Sequence, residues 1–382
     1  MSELPYGLTE AALAAAEAET DPASLAAAAR LRSRFGPGLA AAAVSQAVLR
    51  RQAVAKFGAA AATMIFTRDG LEQATRPEVA EYHARHFAAA GVRRVVDLGC
   101  GIGSDALAFA AAGLDVVAVE VDTEVADAAR HNGGGRFEVI RGDAEALAGG
   151  LLQPGDGVFC DPARRTASGR VWRVEDFRPS WDFVSSLLTG SHVAVVKLGP
   201  ALPHALIPAG VHAEWVSHRG NVVEVCLWSR PARASRSAII LPDHRLDVPE
   251  RSPELPVSAP QSYLYEPDGA VIRAGGVPAL GALLGASLLD RQTAYLTGED
   301  LVASPYATAF RVLGMLPYKE QVLRHWLARH DVGTLEIKKR GLDVDPAELR
   351  RRLHPRGSQR ATFILTRTVV GARVIVAERM AA

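Results

Sequence analysis

The chain has 382 residues, which is enough for two or three domains. Hydrophobic residues make up 48% and charged residues 22%, and the formal net charge of +1 points to no particular partner. The amino terminus carries acid where a signal peptide has base, and no apolar run reaches membrane-spanning length, so a cytoplasmic protein is expected. The cysteines Cys100, Cys160 and Cys226 fit no metal-site spacing, and we expect them to be buried in a reducing compartment.

Residues 1–90 have helical periodicity and helix caps. The last helix of this region is predicted to begin at the block TRPE, with Thr75 as its cap, Pro77 in its first turn and Glu78 at the capping-box position. The sequence therefore predicts an amino-terminal helical region that ends just before residue 91.

The stretch VVDLGCGIGSD, residues 95–105, joins an apolar run to a helical run through three closely spaced glycines. We expect a buried strand that ends near Asp97 and turns sharply into a helix, because glycine lets the backbone pass close to a ligand. The amino terminus of that helix offers unpaired N–H groups. Gly99, Gly101 and Gly103 are spaced G-x-G-x-G, unlike the G-x-G-x-x-G of dinucleotide sites. An acidic residue two positions before Gly99 suits a cationic ligand better than a pyrophosphate.

Further strands are predicted downstream at regular intervals. The second ends at Glu120, about 20 residues after the loop, where a carboxylate accepts hydrogen bonds from ribose hydroxyl groups. The third ends at Asp143, which can accept from an adenine amino group. The fourth and fifth end near residues 160 and 197, and two apolar runs around residues 219–221 predict a terminal hairpin.

This order of elements resembles the class I methyltransferases that use S-adenosylmethionine (SAM), whose motif I matches residues 95–105. The resemblance implies an α/β fold with a Rossmann-like, seven-stranded core. It also implies that SAM is bound by Asp97, Gly99, Cys100, Gly101, Gly103, Glu120, Val121, Asp143 and Ala144. The segment before motif I often folds over SAM in such enzymes, and the alternative role for it here is packing and capping. The candidate pocket residues in that segment are Phe66, Thr67, Gln73 and Thr75.

The next motif is Asp161-Pro162-Ala163-Arg164, at the end of the fourth predicted strand, where open α/β sheets bind ligands. Methyltransferases of exocyclic amines often carry an Asn or Asp, two prolines and an aromatic residue here. The acidic or amide side chain and the following carbonyl accept hydrogen bonds from the amine. This chain keeps Asp161 and Pro162, whereas Arg164 replaces the aromatic residue and can stack on a base or hold a phosphate. We predict that Asp161, Pro162 and Arg164 form the catalytic set.

Residues near this motif have two interpretations each. Trp172, Phe177 and Trp181 can supply a stacking surface, although Phe177 and Trp181 can equally be core residues. Lys197 can contact the substrate or pair with the carboxylate of the motif. Methylation at carbon 5 of a pyrimidine would need a cysteine nucleophile, but strand alternation directs Cys160 away from the motif.

The composition changes near residue 231, where a Pro-, Ser- and Arg-rich segment predicts a linker with one or two short strands. Strand and helix patterns then alternate to the end of the chain, including a predicted hairpin about Pro267-Asp268-Gly269. We therefore expect three parts: a helical region over 1–90, a SAM-binding domain over 91–231, and a second α/β domain over 232–382.

Basic residues are concentrated at the end of the chain. From Asp331 onward there are eleven Lys and Arg residues against six Asp and Glu residues. Such clusters neutralise phosphates, and the alternative is an ordinary solvated surface. The clustered residues are Lys338, Lys339, Arg340, Arg350, Arg351, Arg352, Arg356 and Arg360.

The blocks FTRDGLEQAT, VVDLGCGIGSD, FCDPARR and VKLGP, followed by this basic tail, resemble a bacterial family of class I SAM methyltransferases with a THUMP-like carboxyl-terminal domain. Because THUMP domains bind RNA, the resemblance implies a tRNA or rRNA substrate, bound through the tail and methylated at a base nitrogen. Two alternatives stay open. One is a small-molecule or protein methyltransferase whose tail is a lid or a dimer surface, and the other is a non-catalytic RNA-binding protein that retains SAM.

Overall fold

The computed structural model describes residues 4–164, 176–229 and 235–380. Its contacts divide the chain into two compact units. Unit 1 consists of Met1–His212 and Cys226–Ala234, and unit 2 consists of Ala213–Val225 and Ser235–Ala382. The domain limits placed on the sequence stay a prediction.

The amino-terminal part of unit 1 is helical, as predicted. Short side chains, most of them alanine, let these helices pack closely around a core that includes Leu31, Phe57 and Phe66. The helices are α1 (Glu10–Glu17), α2 (Leu25–Phe35), α3 (Pro37–Phe57), α4 (Arg68–Gln73) and α5 (Pro77–Ala89), with 3-10 helices at Pro5–Gly7 and Gly58–Ala62. The prediction that Thr75 caps α5 is wrong, because Arg76 occupies the cap position and the Thr75 hydroxyl bonds to Asp105 instead.

A parallel sheet follows in unit 1, in the order β7-β4-β1-β2-β3. Its strands are β1 (Arg94–Leu98), β2 (Asp115–Glu120), β3 (Glu138–Arg141), β4 (Gly157–Cys160) and β7 (Val193–Leu198). The intervening elements are α6 (Ser104–Ala111), α7 (Thr123–Gly133), α8 (Ala144–Leu151), the short strands β5 (Ala163–Arg164) and β6 (Phe177–Arg178), α9 (Trp181–Thr189) and a 3-10 helix at His204–Leu206. Because the strands are parallel, their carboxyl ends meet at one edge of the sheet.

The predicted hairpin is present as β8 (His212–His218) and β9 (Asn221–Trp228). Its two turn residues, Arg219 and Gly220, both have positive φ angles, 52° and 76°, as a type I′ turn requires. In unit 1 the end of β9 lies beside β7, which completes the predicted seven-stranded core in the class I strand order. In unit 2, β10 (Arg236–Ile240) pairs in parallel with β8, and β11 (His244–Val248) pairs antiparallel with β10.

Unit 2 contains a second, seven-stranded sheet in the order β13-β14-β12-β15-β18-β17-β16. Its strands are β12 (Tyr263–Pro267), β13 (Ser287–Leu288), β14 (Leu296–Gly298), β15 (Ala307–Pro317), β16 (Val332–Arg340), β17 (Gln359–Thr368) and β18 (Gly371–Arg379). Its helices are α10 (Gly269–Ala274), α11 (Val277–Leu284), α12 (Glu320–Arg329) and α13 (Pro346–Leu353). Buried Leu323, Leu349 and Phe363 belong to one core cluster that joins α12 and α13 to the sheet.

The hairpin predicted about Pro267-Asp268-Gly269 is wrong. β12 ends at Pro267 and the chain enters α10 directly, because the Asp268 side chain accepts a hydrogen bond of 2.8 Å from the Ala270 N–H and caps the helix. Within the described residues, no helix has the length and apolar character that crossing a membrane would require.

Candidate active site

The glycine loop after β1 has the backbone that its sequence predicts. Gly99, Gly101 and Gly103 have φ angles of 92°, 57° and 86°, which side chains other than glycine rarely adopt. The N–H groups of Gly99 and Cys100 both donate to the Val119 carbonyl, at 2.9 and 3.0 Å, and so tie the loop to β2. Gly103 then caps the amino terminus of α6.

Glu120, at the end of β2, supports this loop from the side. One carboxylate oxygen accepts from the Gly101 N–H at 3.0 Å and the other from the Asp122 N–H at 2.9 Å. Burial raises the pKa of Glu120 despite these bonds. The neighbouring Val121 is 67% exposed, so its side chain is open to contact with a ligand. A role of Glu120 toward ribose stays a prediction.

Asp97 is the most unusual residue of the site. It lies in β1, between β2 and β4, with a solvent exposure of only 1%. Neither carboxylate oxygen finds a hydrogen-bond partner among the residues that the structure describes. Burial, followed by the negative charges of Asp105 and Asp161, raises the pKa of Asp97 well above its usual value. A buried carboxylate without a partner is costly, so Asp97 marks a place where a donor ligand would lower the free energy.

The charges around Asp97 indicate the sign of that ligand. Asp105, Glu120 and Asp161 all act on Asp97 as negative neighbours, whereas Lys197 is the positive neighbour. Four carboxylates therefore share this region, and a cation would relieve their repulsion. SAM carries an ammonium group and a sulfonium group, so the described residues fit this cofactor.

Asp161 follows β4 directly and lies against the glycine loop. A methyl group in place of the Gly99 hydrogen would lie 3.5 Å from the Asp161 carbonyl oxygen. The Asp161 carboxylate forms an ion pair with Lys197, which answers the question that the sequence left open for this lysine. Pro162 is buried, and the backbone of Arg164 pairs with Phe177 in the ribbon of β5 and β6.

The aromatic residues after the motif have separate roles. Phe177 is buried, and its ring centroid lies 5.8 Å from that of the half-buried Trp181, which favours the packing interpretation for both. Trp172 lies outside the described residues. Cys160 is fully buried, and burial raises the pKa of its thiol, so it does not have the properties of a nucleophile for pyrimidine carbon 5.

The remaining predicted residues lie at helix starts or in the core. The Asp143 carboxylate caps α8 by accepting from the N–H groups of Glu145 and Ala146, at 2.8 and 3.2 Å, and Ala144 is buried. Phe66 packs in the amino-terminal core, Thr67 caps α4 and Gln73 is exposed. Of the four residues predicted before motif I to line the pocket, Thr75 contacts the site through Asp105 and Lys197.

Sequence reasoning missed two residues that the structure joins to the site. Asp105, in the first turn of α6, accepts from the Thr75 hydroxyl at 2.5 Å. His83, on α5, lies with Nδ1 2.8 Å from the other Asp105 oxygen. Both side chains are buried, and a polar residue on the apolar face of a predicted helix was the available indication.

Two family models match the chain. A methyltransferase domain matches residues 95–165, and a THUMP domain-like model matches residues 307–379, the segment from β15 to β18. An uncharacterized SAM-dependent methyltransferase of Mycobacterium tuberculosis, from strains CDC 1551 / Oshkosh and H37Rv, is 33% identical over 359 residues, which cover 90% of this chain and 96% of the relative.

A solved structure supports the fold over nearly the whole chain. A protein from Porphyromonas gingivalis W83, assigned as a methyltransferase, matches with a TM-score of 0.79 and 23% identity. The match covers 98% of this chain and 99% of that one. The mycobacterial relative matches nearly the full length of both chains, and this match assigns the chain to its family. The chain belongs to the S-adenosylmethionine-dependent methyltransferases of class I, and SAM is its cofactor.

Proposed function

We propose that this enzyme methylates a base nitrogen in structured RNA, either tRNA or rRNA. The observation that carries the proposal is the position of Asp161, whose main chain adjoins Gly99 and whose carboxylate follows β4. An amine that donates to Asp161 would therefore lie beside the loop proposed to bind SAM. Pro162 limits the backbone at this point, and we assign Arg164 to the base or to a phosphate.

We assign the cofactor contacts to the loops that end the parallel strands. Asp97 would accept from the SAM ammonium group, and Glu120 from its ribose hydroxyl groups. Val121 and Ala144 would cover the adenine, and Asp143 would accept from its amino group. The backbone contacts would come from Gly99, Cys100, Gly101 and Gly103. When bound, SAM supplies an electrophilic methyl group on its sulfonium.

The residues of the chain have little chemistry to perform beyond positioning. The acceptor nitrogen forms the new N–C bond with its lone pair, while the electron pair of the broken S–C bond stays on sulfur. The nitrogen then loses one proton, which the Asp161 carboxylate accepts. The hydrogen bond from the amine to Asp161 orients the lone pair before transfer.

The RNA part of the proposal rests on unit 2. Four basic residues near its carboxyl end are exposed, and no carboxylate of the described residues lies within ion-pair distance of them. These residues are Lys339, Arg351, Arg356 and Arg360. They fall within the segment that matches the THUMP domain-like model, and THUMP domains bind RNA by the resemblance stated above. Exposed, unpaired cations are the groups that replace counterions on a phosphate backbone.

A cavity within unit 2 adds to this support. Its volume is about 1070 Å³, which is large enough for a nucleotide. Lys338, Arg340 and Arg379 line it, together with the acidic Glu266 and Asp268 and with apolar residues that include Leu301. We assign this cavity to a part of the bound RNA.

The first experiment would follow the label from methyl-labelled SAM. Purified protein is incubated with total RNA from a strain that lacks the gene, and one portion is then digested with RNase. Label that RNase removes supports the proposal, and nucleoside analysis identifies the base. Label on protein or on a small molecule would contradict it, and SAM binding without any transfer would favour a non-catalytic RNA-binding protein.

Replacing Asp161 tests the site itself. We expect Asp161→Ala to lower turnover by about 100-fold or more while SAM affinity stays within about threefold, because general-base contributions are of this order. Asp182→Ala, which removes an exposed carboxylate on α9, is the matched control and should keep wild-type turnover. Loss of SAM affinity in Asp161→Ala would show that the role of this residue is misassigned.

A further inference from the structure

A chain of hydrogen bonds leads from Asp161 into the interior of unit 1. The Lys197 ammonium group, 12% exposed, donates to one Asp161 oxygen and to the Thr75 hydroxyl oxygen, the latter at 2.9 Å. The Thr75 hydroxyl donates to Asp105 at 2.5 Å. His83 Nδ1 lies 2.8 Å from the second Asp105 oxygen. Five side chains from α5, α6, β7 and the segments after β4 and before α5 are thus connected.

The directions of the two bonds at Thr75 are determined. A hydroxyl group has one proton, and an ionised carboxylate can only accept. Because Thr75 gives its proton to Asp105, its oxygen presents a lone pair to Lys197. Lys197 therefore meets a fixed acceptor on one side and the Asp161 carboxylate on the other.

Although the side chain is buried, the pKa of Asp105 is lowered, which favours the ionised form. Burial alone would raise its pKa, but the hydrogen bond and charge of His83, the charge of Lys197 and the hydrogen bond of Thr75 outweigh burial and lower it. The far ring nitrogen of His83, Nε2, lies 3.4 Å from the Cys226 sulfur. At the inner end of this hydrogen-bond chain, the Asp105 carboxylate is therefore held in place by Thr75 and His83.

We propose that Thr75, Asp105 and His83 are positioning residues, which hold the Lys197 ammonium group against Asp161 so that Asp161 meets the acceptor nitrogen as an ionised carboxylate in one orientation. A protonated Asp161 cannot take the proton that the nitrogen loses, so the network keeps Asp161 able to accept that proton. This inference rests on the proposed function in one respect, namely that Asp161 receives the acceptor amine.

Competition for the lysine explains why the network is needed. Asp97 on β1, Asp105 on α6 and Asp161 all attract the Lys197 ammonium group, and Glu120 on β2 adds negative charge. Lys197 and Lys56 on α3 repel each other, and Arg76 adds positive charge near Lys56. A directed bond from Lys197 to Thr75 fixes the ammonium group where Coulomb attraction alone does not.

A pair of variants at one position tests the proposal. Thr75→Val keeps the shape and removes the hydroxyl, whereas Thr75→Ser keeps the hydroxyl. We expect Thr75→Val to lower kcat about tenfold or more, with the KM for SAM unchanged, and Thr75→Ser to stay within about threefold of wild type. Thr63→Val is the matched control, since the Thr63 hydroxyl bonds locally to the Ala60 carbonyl. Wild-type kcat in Thr75→Val would overturn the proposal.

A second measurement needs neither SAM nor an acceptor. The carboxyl resonance of Asp161 is followed against pH in protein with ¹³C-labelled aspartate and assigned through Asp161→Asn. Loss of the ammonium group in Lys197→Met should move the titration midpoint of Asp161 to higher pH, because the ion pair that favours the charged carboxylate is lost. Thr75→Val should move the midpoint in the same direction, and Thr75→Ser should not.

The two measurements separate this inference from the proposed function. An unchanged Asp161 midpoint in both Lys197→Met and Thr75→Val would overturn the positioning role even if RNA is methylated. If the midpoint shifts in the variants but the wild-type protein labels no RNA, the shift supports the positioning role and the missing label rejects RNA as the substrate. SAM affinity and the thermal unfolding midpoint of each variant confirm that it is folded.

Discussion

At the scale of single residues, Asp97 carries the clearest functional information. Both of its oxygens are buried without a partner among the described residues, although native proteins satisfy nearly all such groups. Its raised pKa means that the cofactor-free protein holds a proton there over a pH range in which an exposed aspartate is ionised. Burial of Asp97 thus lowers the folding stability of the cofactor-free protein, and a cationic ligand bound to Asp97 would raise it again.

Asp97→Asn should separate stability from binding. The folded pKa of Asp97 lies above the unfolded value, so its contribution to stability is lost as pH rises from the unfolded pKa, about 3.9, toward the folded one. We expect the variant to raise the Tm of the cofactor-free protein at pH 7 by a few degrees and to lower SAM affinity about tenfold or more. Calorimetry without and with SAM measures both effects.

Asp115→Asn is the control for this experiment, because Asp115 is exposed at the start of β2. We expect it to change neither Tm nor SAM affinity. In wild type, SAM affinity should rise as pH increases through the raised Asp97 pKa, since the ammonium group prefers the ionised carboxylate. An Asp97→Asn protein that keeps wild-type affinity would reject the assignment of Asp97 to the cofactor.

At the scale of elements, the glycine loop and the strand ends around it create the site. Gly99 lies next to the Asp161 main chain, where a Cβ would make only an ordinary contact at 3.5 Å, so its φ angle of 92° is what favours glycine there. Gly101 differs, because no other heavy atom of the described residues lies within 4 Å of the position that a Cβ would take. The space beside Gly101 is therefore open, and a ligand can approach the backbone there.

A comparison of two glycines tests this interpretation. Gly101 and Gly113, which follows α6, both have positive φ and open space where a Cβ would lie, so alanine strains the backbone at each by about 1 kcal/mol. We expect Gly101→Ala to weaken SAM binding about tenfold, while Gly113→Ala keeps wild-type affinity. Isothermal titration gives the affinities. Equal affinities in the two variants would contradict a cofactor contact at Gly101.

The elements were largely predictable because their causes are local. Valine-rich runs, glycine spacing and cap residues predicted the parallel strands and most helices. The start of α10 was not predicted. Pro267-Asp268-Gly269 was interpreted as a hairpin turn because Pro-Asp-Gly is typical of turns, but Asp is equally common as a helix cap. Only the finished fold decides between the two uses of Asp268.

The site was predictable in part for the same reason. Asp97 and Asp161 stand in short motifs, so the sequence alone picked them out. Thr75, Asp105 and Lys197 belong together only because α6 and β7 bring distant segments to one edge of the sheet. No spacing in the sequence encodes that meeting, and Thr75 was accordingly mistaken for a helix cap.

At the scale of the whole molecule, the number of basic residues overstates the charge that is available to a partner. Lys338 pairs with Glu266, Arg352 with Glu320 and Glu348, and Arg379 with Glu336. Their charges are partly compensated within unit 2. In the described part of unit 2, exposed residues without such a partner include Lys339, Arg351, Arg356 and Arg360.

Salt dependence distinguishes phosphate contacts from an ordinary charged surface. We expect a combined Arg351→Gln, Arg356→Gln and Arg360→Gln variant to weaken RNA binding and to reduce the slope of log K against log salt by about 2 to 3 units, because each phosphate contact contributes about 0.7 to 0.9. Filter binding at several salt concentrations gives the slope.

The control for that variant changes the same net charge on α2, where Arg30, Arg32 and Arg34 are replaced by Gln. This control should keep the wild-type slope. Equal slopes in both variants would reject these arginines as the RNA contacts and would favour a lid or dimer surface.

The excess of carboxylates around Asp97 also has a consequence for the end of each turnover. Methyl transfer removes the positive charge on sulfur and leaves a neutral thioether. The attraction of the surrounding carboxylates for the spent cofactor is then weaker than for the fresh one. Under the proposed assignment of Asp97 to SAM, the arrangement that attracts the cationic cofactor thus also favours release of the neutral product.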